Sequence, residues 1–273
     1  YNNQSFFSVE PRLRAKFNFP GLSLNLGLGT YSQNLLAAVS DRDVVNLFQG
    51  FLSAPEDLAF QINRNTLQTA RHALVGVEAE IIPDVTTTVE GWLKDFTQLT
   101  NINREKLFPT DPNFITETGL AYGLDLIVKY QTRSTYLYMN YGLAKVTRTD
   151  RLGPGQTPRT YAPVFDRRHT VNFVAAYKMG KFAPTDETNR KVRPKFSEAP
   201  WEFSVRWGLG SGFPFTQTQG YFEKLTFQDN GGQTDLSTQN GQLGILLSDE
   251  LNGGRLPDYH RLDLAVKRRW VFS

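Results

Sequence analysis

The 273-residue sequence contains no cysteine, which excludes disulfide frameworks, thiolate metal sites and cysteine nucleophiles. Histidine is scarce: His72, His169 and His260 lie far apart, and no H-x-x-x-H pair exists to hold zinc. Neither sign of charge dominates. Thirty basic residues against 27 acidic ones leave a net charge of +3, and Lys and Arg are scattered singly, so nucleic acid is not expected as a partner. Long apolar runs are missing too, which excludes a transmembrane helix of the usual ~18 residues or more and leaves strands as the other way across a membrane. The opening YNNQSFFSVEPRLRAKF has no charged stretch followed by an apolar one, as a signal peptide would. VKRRWVFS stops inside an alternating run, so residues 1–273 are expected to be a fragment of a longer protein.

What the sequence has in abundance is period-two alternation. In residues 119–131, Leu120, Tyr122, Leu124, Leu126, Val128 and Tyr130 oppose Gly119, Ala121, Gly123, Asp125 and Lys129, with Ile127 out of pattern. Phe7, Val9, Leu13, Ala15, Phe17 and Phe19 likewise oppose Glu10, Arg12, Arg14, Lys16 and Asn18. Leu22 to Leu28, Ala73 to Ile81, and the runs 85–98, 135–147, 169–179, 201–210 and 260–270 behave the same way. The pattern predicts about nine strands of roughly 10 to 13 residues, against a usual five or six; a tilted strand crosses hydrocarbon with about 9 to 11. Connections alternate as well. Short ones are expected at Pro20-Gly21, Pro83-Asp84 and Gln131 to Ser134, and long polar ones at about 33–71, 99–118, 149–168 and 211–258. The segment 181–199 falls on the short-turn side and reads as a mobile insertion.

Alternation alone also fits a soluble sandwich, in which the apolar face is buried between two sheets. Two features favour a membrane barrel. Full charges stand mid-strand on the polar face, among them Arg12, Arg14, Glu78, Glu80, Glu90, Asp125, Arg206 and Asp263. Aromatic residues gather near strand ends, including Phe17, Phe19, Tyr31, Tyr130, Tyr136, Tyr177, Trp201 and Trp270, as interfacial girdles do. The glycines of WEFSVRWGLGSGFPFTQTQG, at 208, 210 and 212, do not form a phosphate loop. The segment before them alternates and Phe213-Pro214-Phe215 after them starts no helix, whereas a dinucleotide site needs a buried strand and a helix. They read as a strand end where glycine admits close backbone approach.

That stretch, together with NGGRLPDYHRLDLAVKRRW at 252–270, GTYSQN at 29–34, SDRDVVNLFQGFL at 40–52 and EGWLKDFTQLTNIN at 90–103, resembles the C-terminal barrel of TonB-dependent outer-membrane receptors of the Bacteroidetes type. The resemblance implies an all-β fold: an antiparallel up-and-down transmembrane β-barrel, here a partial barrel of about nine long strands with long extracellular loops. It implies that the plug domain, the TonB box and the final strands lie outside residues 1–273. An odd number of strands does not close a bacterial barrel, which agrees. The implied location is the bacterial outer membrane. The implied function is energy-coupled uptake of a scarce solute such as a siderophore, cobalamin or an oligosaccharide. Its partners would be TonB, the protein's own plug, outer-membrane lipid and a surface lipoprotein. Alternatives are a passive channel or structural barrel, and a soluble β-sheet binding protein.

No enzymatic activity and no cofactor are expected. The only nucleophile-and-base settings are His169 beside Asp166 and Thr170, and His260 beside Asp258, both at strand starts where a rim hydrogen bond is the simpler role. Residues 40–52 predict a short amphipathic loop helix, with Ser40 and Asp43 at its start and Val44, Leu47, Phe48, Phe51 and Leu52 at helical spacing. Ligand-contact candidates are the loop charges Asp41, Arg42 and Asp43 and the loop aromatics Tyr221 and Phe222. The inward row Arg12, Arg14 and Lys16 would either meet the acidic side of a plug or polarise the lumen.

Overall fold

The fold is an antiparallel meander, in which each long strand pairs with the next long strand along the chain. A computed structural model describes residues 7–38, 50–53, 58–59, 62, 65–103, 106, 108–150, 157–179, 201–224 and 242–268. Nine long strands make the sheet: β1 (Arg12–Phe19), β2 (Leu22–Gln33), β3 (Gln68–Ile82), β4 (Val85–Ile102), β5 (Phe114–Gln131), β6 (Thr135–Asp150), β7 (His169–Met179), β8 (Trp201–Gly210) and β9 (Tyr259–Arg268). Among the described residues β1 and β9 are the edges, and no helix occurs.

Turn chemistry fixes the register at one end. Proline sets the first residue of both two-residue turns near φ −65°, and the second residue takes a positive φ, 71° at Gly21 and 67° at Asp84. Glycine reaches that region freely, and aspartate is among the few other residues that tolerate it. Phe19 therefore faces Leu22, and Ile82 faces Val85. At the third turn Thr132 and Thr135 bond each other, Thr132 N donating to the Thr135 carbonyl at 2.8 Å. The connections 34–67, 103–113, 151–168 and 211–258 all leave from the opposite end.

Because cross-strand partners share a face, the registers turn alternation into continuous rows. One runs Phe17, Leu24, Val77, Val89, Leu126, Tyr141, Val171, Leu209, His260. Beside it run Phe19, Leu22, Ala79, Thr87, Val128, Met139, Phe173, Trp207 and Leu262. This apolar face is uncovered: Leu28, Leu124 and Leu264 are 58%, 44% and 71% exposed. Among the described residues no second sheet lies over it. The mid-strand charges predicted for the polar face, from Arg14 and Glu78 to Arg206 and Asp263, do share that other face.

The packed core sits instead at the long-loop end. Leu58, Leu67, Ala70, Ile115, Ala121 and Tyr161 are its buried apolar residues among those described, with Gln98, Thr116 and Glu117 buried beside them. Short strands from the loops complete it. Leu58–Ala59 pairs in parallel with Phe114 and Ile115, just past the point where the β5–β6 ladder ends. Arg159–Tyr161 pairs with the end of β6 beyond the reach of β7.

Several expectations need correction. The central strands are longer than predicted, 15 residues in β3, 18 in β4 and β5 and 16 in β6, and the long connections are correspondingly shorter. Past the apolar band polar residues such as Gln98, Thr116 and Glu117 interrupt the alternation, and the strands carry bulges at Thr69/Ala70 and Phe96/Leu99. The hydropathy signal therefore stops while the hydrogen-bond ladder continues. The last residues of the predicted loop helix are strand: Gly50–Ser53 pairs with Leu35–Ala38, because the pairing gives cross-strand partners to backbone groups that a helix end leaves open. Residues 40–49 of that segment lie outside the described residues, as do 181–199 and Trp270. Tyr31 and Tyr136, expected in the girdle, fall by strand parity on the polar face.

Candidate functional site

The polar face of β1 to β5 is built around an indole. Trp92, on β4, lies across Gly123 of β5, where a Cβ would come within 2.6 Å of the ring. Its Nε1–H donates to Asp125 Oδ2 at 2.8 Å. Glycine at 142, the cross-strand partner of Asp125, leaves room for that carboxylate. Lys94 Nζ sits 5.0 Å from the centre of the Trp92 ring, and the Arg12 guanidinium carbon 4.5 Å from that of Tyr31. Tyr31 in turn packs against His72, the rings tilted by 32° with centroids 4.3 Å apart. Arg12, Arg14 and Lys16 of the predicted inward row line one side of a groove of about 590 Å³ on this face, with Lys94 and Trp92 on the other.

At the long-loop end the face closes into two polar clusters. In the first, Glu117 Oε1 accepts hydrogen bonds from Tyr161 Oη at 2.7 Å and Asn101 Nδ2 at 2.8 Å, with Arg148 3.5 Å from its other oxygen. Buried Gln98 fixes the adjoining loop, donating to the carbonyls of Asn65 and Leu67 and accepting from Ile62 N. In the second, fully buried Asp166 pairs with Arg255, lies 3.8 Å from Arg168 and accepts from Val146 N at 2.8 Å. Arg255 also donates to the carbonyls of Asp166 and Gly212, at 3.1 and 3.2 Å. Gly212 is where close approach matters: a Cβ there would fall 1.5 Å from the Leu256 carbonyl oxygen. Its N–H donates to Asp258 Oδ1.

The predicted contact residues are placed unevenly. Tyr221 and Phe222 belong to the hairpin Thr218–Lys224 with Gln242–Leu247, 69% and 53% exposed. Asp41, Arg42 and Asp43 lie outside the described residues. The structure does not bring the histidines to their neighbouring aspartates. His169 Nδ1 meets Tyr141 Oη at 2.9 Å while Asp166 is engaged by arginine, and Asp258 is engaged by Gly212. Residues that the sequence reading did not single out are Tyr31 as a groove residue, Lys94, Trp92 and the Asp166–Arg255 pair. Tyr31 was within reach: the two-residue turn at Pro20-Gly21 and alternation together put it on the face of Arg14.

Ahead of β1, Glu10 ties the chain to β2. Its Oε1 accepts from Ser32 Oγ at 2.5 Å and Ser32 N at 3.0 Å, and Oε2 from Arg12 at 2.7 Å. The Ser32 hydroxyl bond chiefly, then its backbone N–H, holds the Glu10 carboxyl below its ordinary range. A lowered folded-state pKa means that this tie contributes above the ordinary carboxylate range and is lost as pH falls through the lowered value. A carboxyl-resolved NMR titration should give a low midpoint for Glu10, and Ser32→Ala should move it back up.

No known protein family, curated protein or solved structure matches this chain.

Proposed function

We propose that the chain forms part of the wall of a transmembrane β-barrel in a bacterial outer membrane, of the TonB-dependent receptor type, in a protein that imports a scarce solute. One observation carries the reading: nine paired strands present an uncovered apolar face on one side and mid-strand charges on the other. A soluble sheet would bury the first face; a barrel wall turns it to lipid and turns the second to water. Dimensions agree. From Tyr122 to Tyr130 the apolar face of β5 spans nine residues, with a tyrosine at each end and Leu124, Leu126 and Val128 between them. A tilted strand needs about 9 to 11 to cross the hydrocarbon. The long connections would then form the outer loops, with the Tyr221–Phe222 hairpin among them, while TonB, a plug and a surface lipoprotein would act from segments and partners beyond this wall.

Fractionating cells that express the intact protein tests the reading. It should sediment with the outer membrane and stay there through alkaline carbonate washing, and solute uptake should stop when the proton gradient is dissipated. Recovery as a dissolved species without detergent would sink the membrane assignment, and uptake indifferent to the gradient would sink energy coupling.

A further inference from the structure

We propose that the groove on the polar face of β1 to β4 is a binding site for a small polyanionic solute, one bearing several carboxylate or phosphate groups. Among the described residues its lining holds four cations, Arg12, Arg14, Lys16 and Lys94, and no carboxylate. Of the carboxylates nearby, Glu10 is engaged with Ser32 and Arg12 and Asp125 with Trp92, while the Glu90 side chain lies against Gly76, beside Asn25 at the groove's edge. With Arg12 paired to Glu10, the groove keeps a surplus of positive charge on Arg14, Lys16 and Lys94, an arrangement complementary to something negative. Two of the cations are held in place by ring faces, Arg12 on Tyr31 and Lys94 on Trp92. The Trp92 ring is itself pinned through its N–H to Asp125. Such fixing lowers the ordering cost of binding. The groove volume of about 590 Å³ is that of a small-molecule site, which commonly spans about 300–1,000 Å³, and is small for a folded partner.

As a station on a transport path the site rests on the reading of this face as a lumen, but binding in detergent does not. Calorimetric titration of the intact protein in a non-ionic detergent with citrate, tripolyphosphate and neutral maltohexaose separates the two. Binding of either anion should weaken with added salt and fall roughly tenfold or more in the triple variant Arg14→Gln/Lys16→Gln/Lys94→Gln. The charge-retaining set Arg14→Lys/Lys16→Arg/Lys94→Arg should restore it. Lys16 is exposed, so Lys16→Gln alone reports on the site with little effect on the fold and should weaken binding a few-fold. The relative affinities of citrate and tripolyphosphate identify the preferred acid group. Failure of both anions to bind, equal binding of maltohexaose, or undiminished binding by Lys16→Gln and the triple variant would overturn the proposal. Anion binding by a protein that proves not to reside in a membrane would instead overturn the import reading alone.

Discussion

Leu124→Arg is expected to destabilise the protein folded in lipid bilayers by about 2–3 kcal/mol, while Ile127→Arg, three residues along the same strand, costs less than about 1 kcal/mol. The contrast follows from parity. Leu124 shares the apolar face with Val75 and Leu143 and is 44% exposed, whereas Ile127 lies among Thr88 and Asn140 on the charged face. In water, arginine at an exposed position such as 124 would change stability by only about 0.5 kcal/mol. In hydrocarbon it brings a guanidinium close to the bilayer centre, where a lipid-facing cation costs about 2–4 kcal/mol. Position 124 is one residue pair away from the middle of the Tyr122–Tyr130 band, which sets the expectation below the upper end. Denaturant titration of the protein refolded into lipid vesicles, followed by tryptophan fluorescence, measures both variants. Equal tolerance of the two would mean that no lipid lies against the apolar face.

That experiment uses what was most legible in the sequence. Alternation from Gly119 to Gln131 places Leu124 and Asp125 on opposite faces, and the order of strands follows from short turns such as Pro20-Gly21. Legibility ends where the two faces become alike. Gln98, Thr116 and Glu117 stand where polar and apolar residues no longer alternate along β4 and β5, so periodicity gives no signal there, although the ladder runs on to Ile102 and Phe114. An aromatic near a strand end suggests a girdle position for Tyr31, but residue type does not override parity: two residues beyond Gly29, it points with Gly29 to the polar side. Phe51 and Leu52 fit helical spacing and are strand, since a short apolar run carries both periods and the pairing with Leu35–Ala38 decides between them. Of the groove, one bank was visible as the charged row of β1. The other bank, Lys94 and Trp92, required the register of three hairpins, including the bulge between Glu80 and Ile82 that shifts β4 by one residue.

The Asp166–Arg255 pair joins residues 89 apart in sequence, beyond any local signal, and its loss should matter more than that of any exposed ion pair. Asp166 is fully buried, and Arg255, about a third exposed, binds its carboxylate, its carbonyl and the Gly212 carbonyl at once. One guanidinium thereby fastens the 157–168 connection to both roots of the 211–258 connection, at Gly212 and at Arg255 itself. Removing the acid leaves Arg255 and Arg168 facing a buried space without their counter-charge, and breaking a buried pair from one side typically costs about 3–5 kcal/mol. With Arg255 partly solvated, Asp166→Ala is expected to cost about 3 kcal/mol. The double change Asp166→Ala/Arg255→Met leaves less charge stranded and should recover a good part of that loss. Because the sheet is held by its own ladders, the damage should be local. Limited proteolysis should cut Asp166→Ala within the two connections and spare the strands, while the double variant cuts more slowly. Cleavage spread evenly along the strands, or a double variant no better than the single one, would show that Asp166 supports the sheet as a whole and does not act as a clasp between loops.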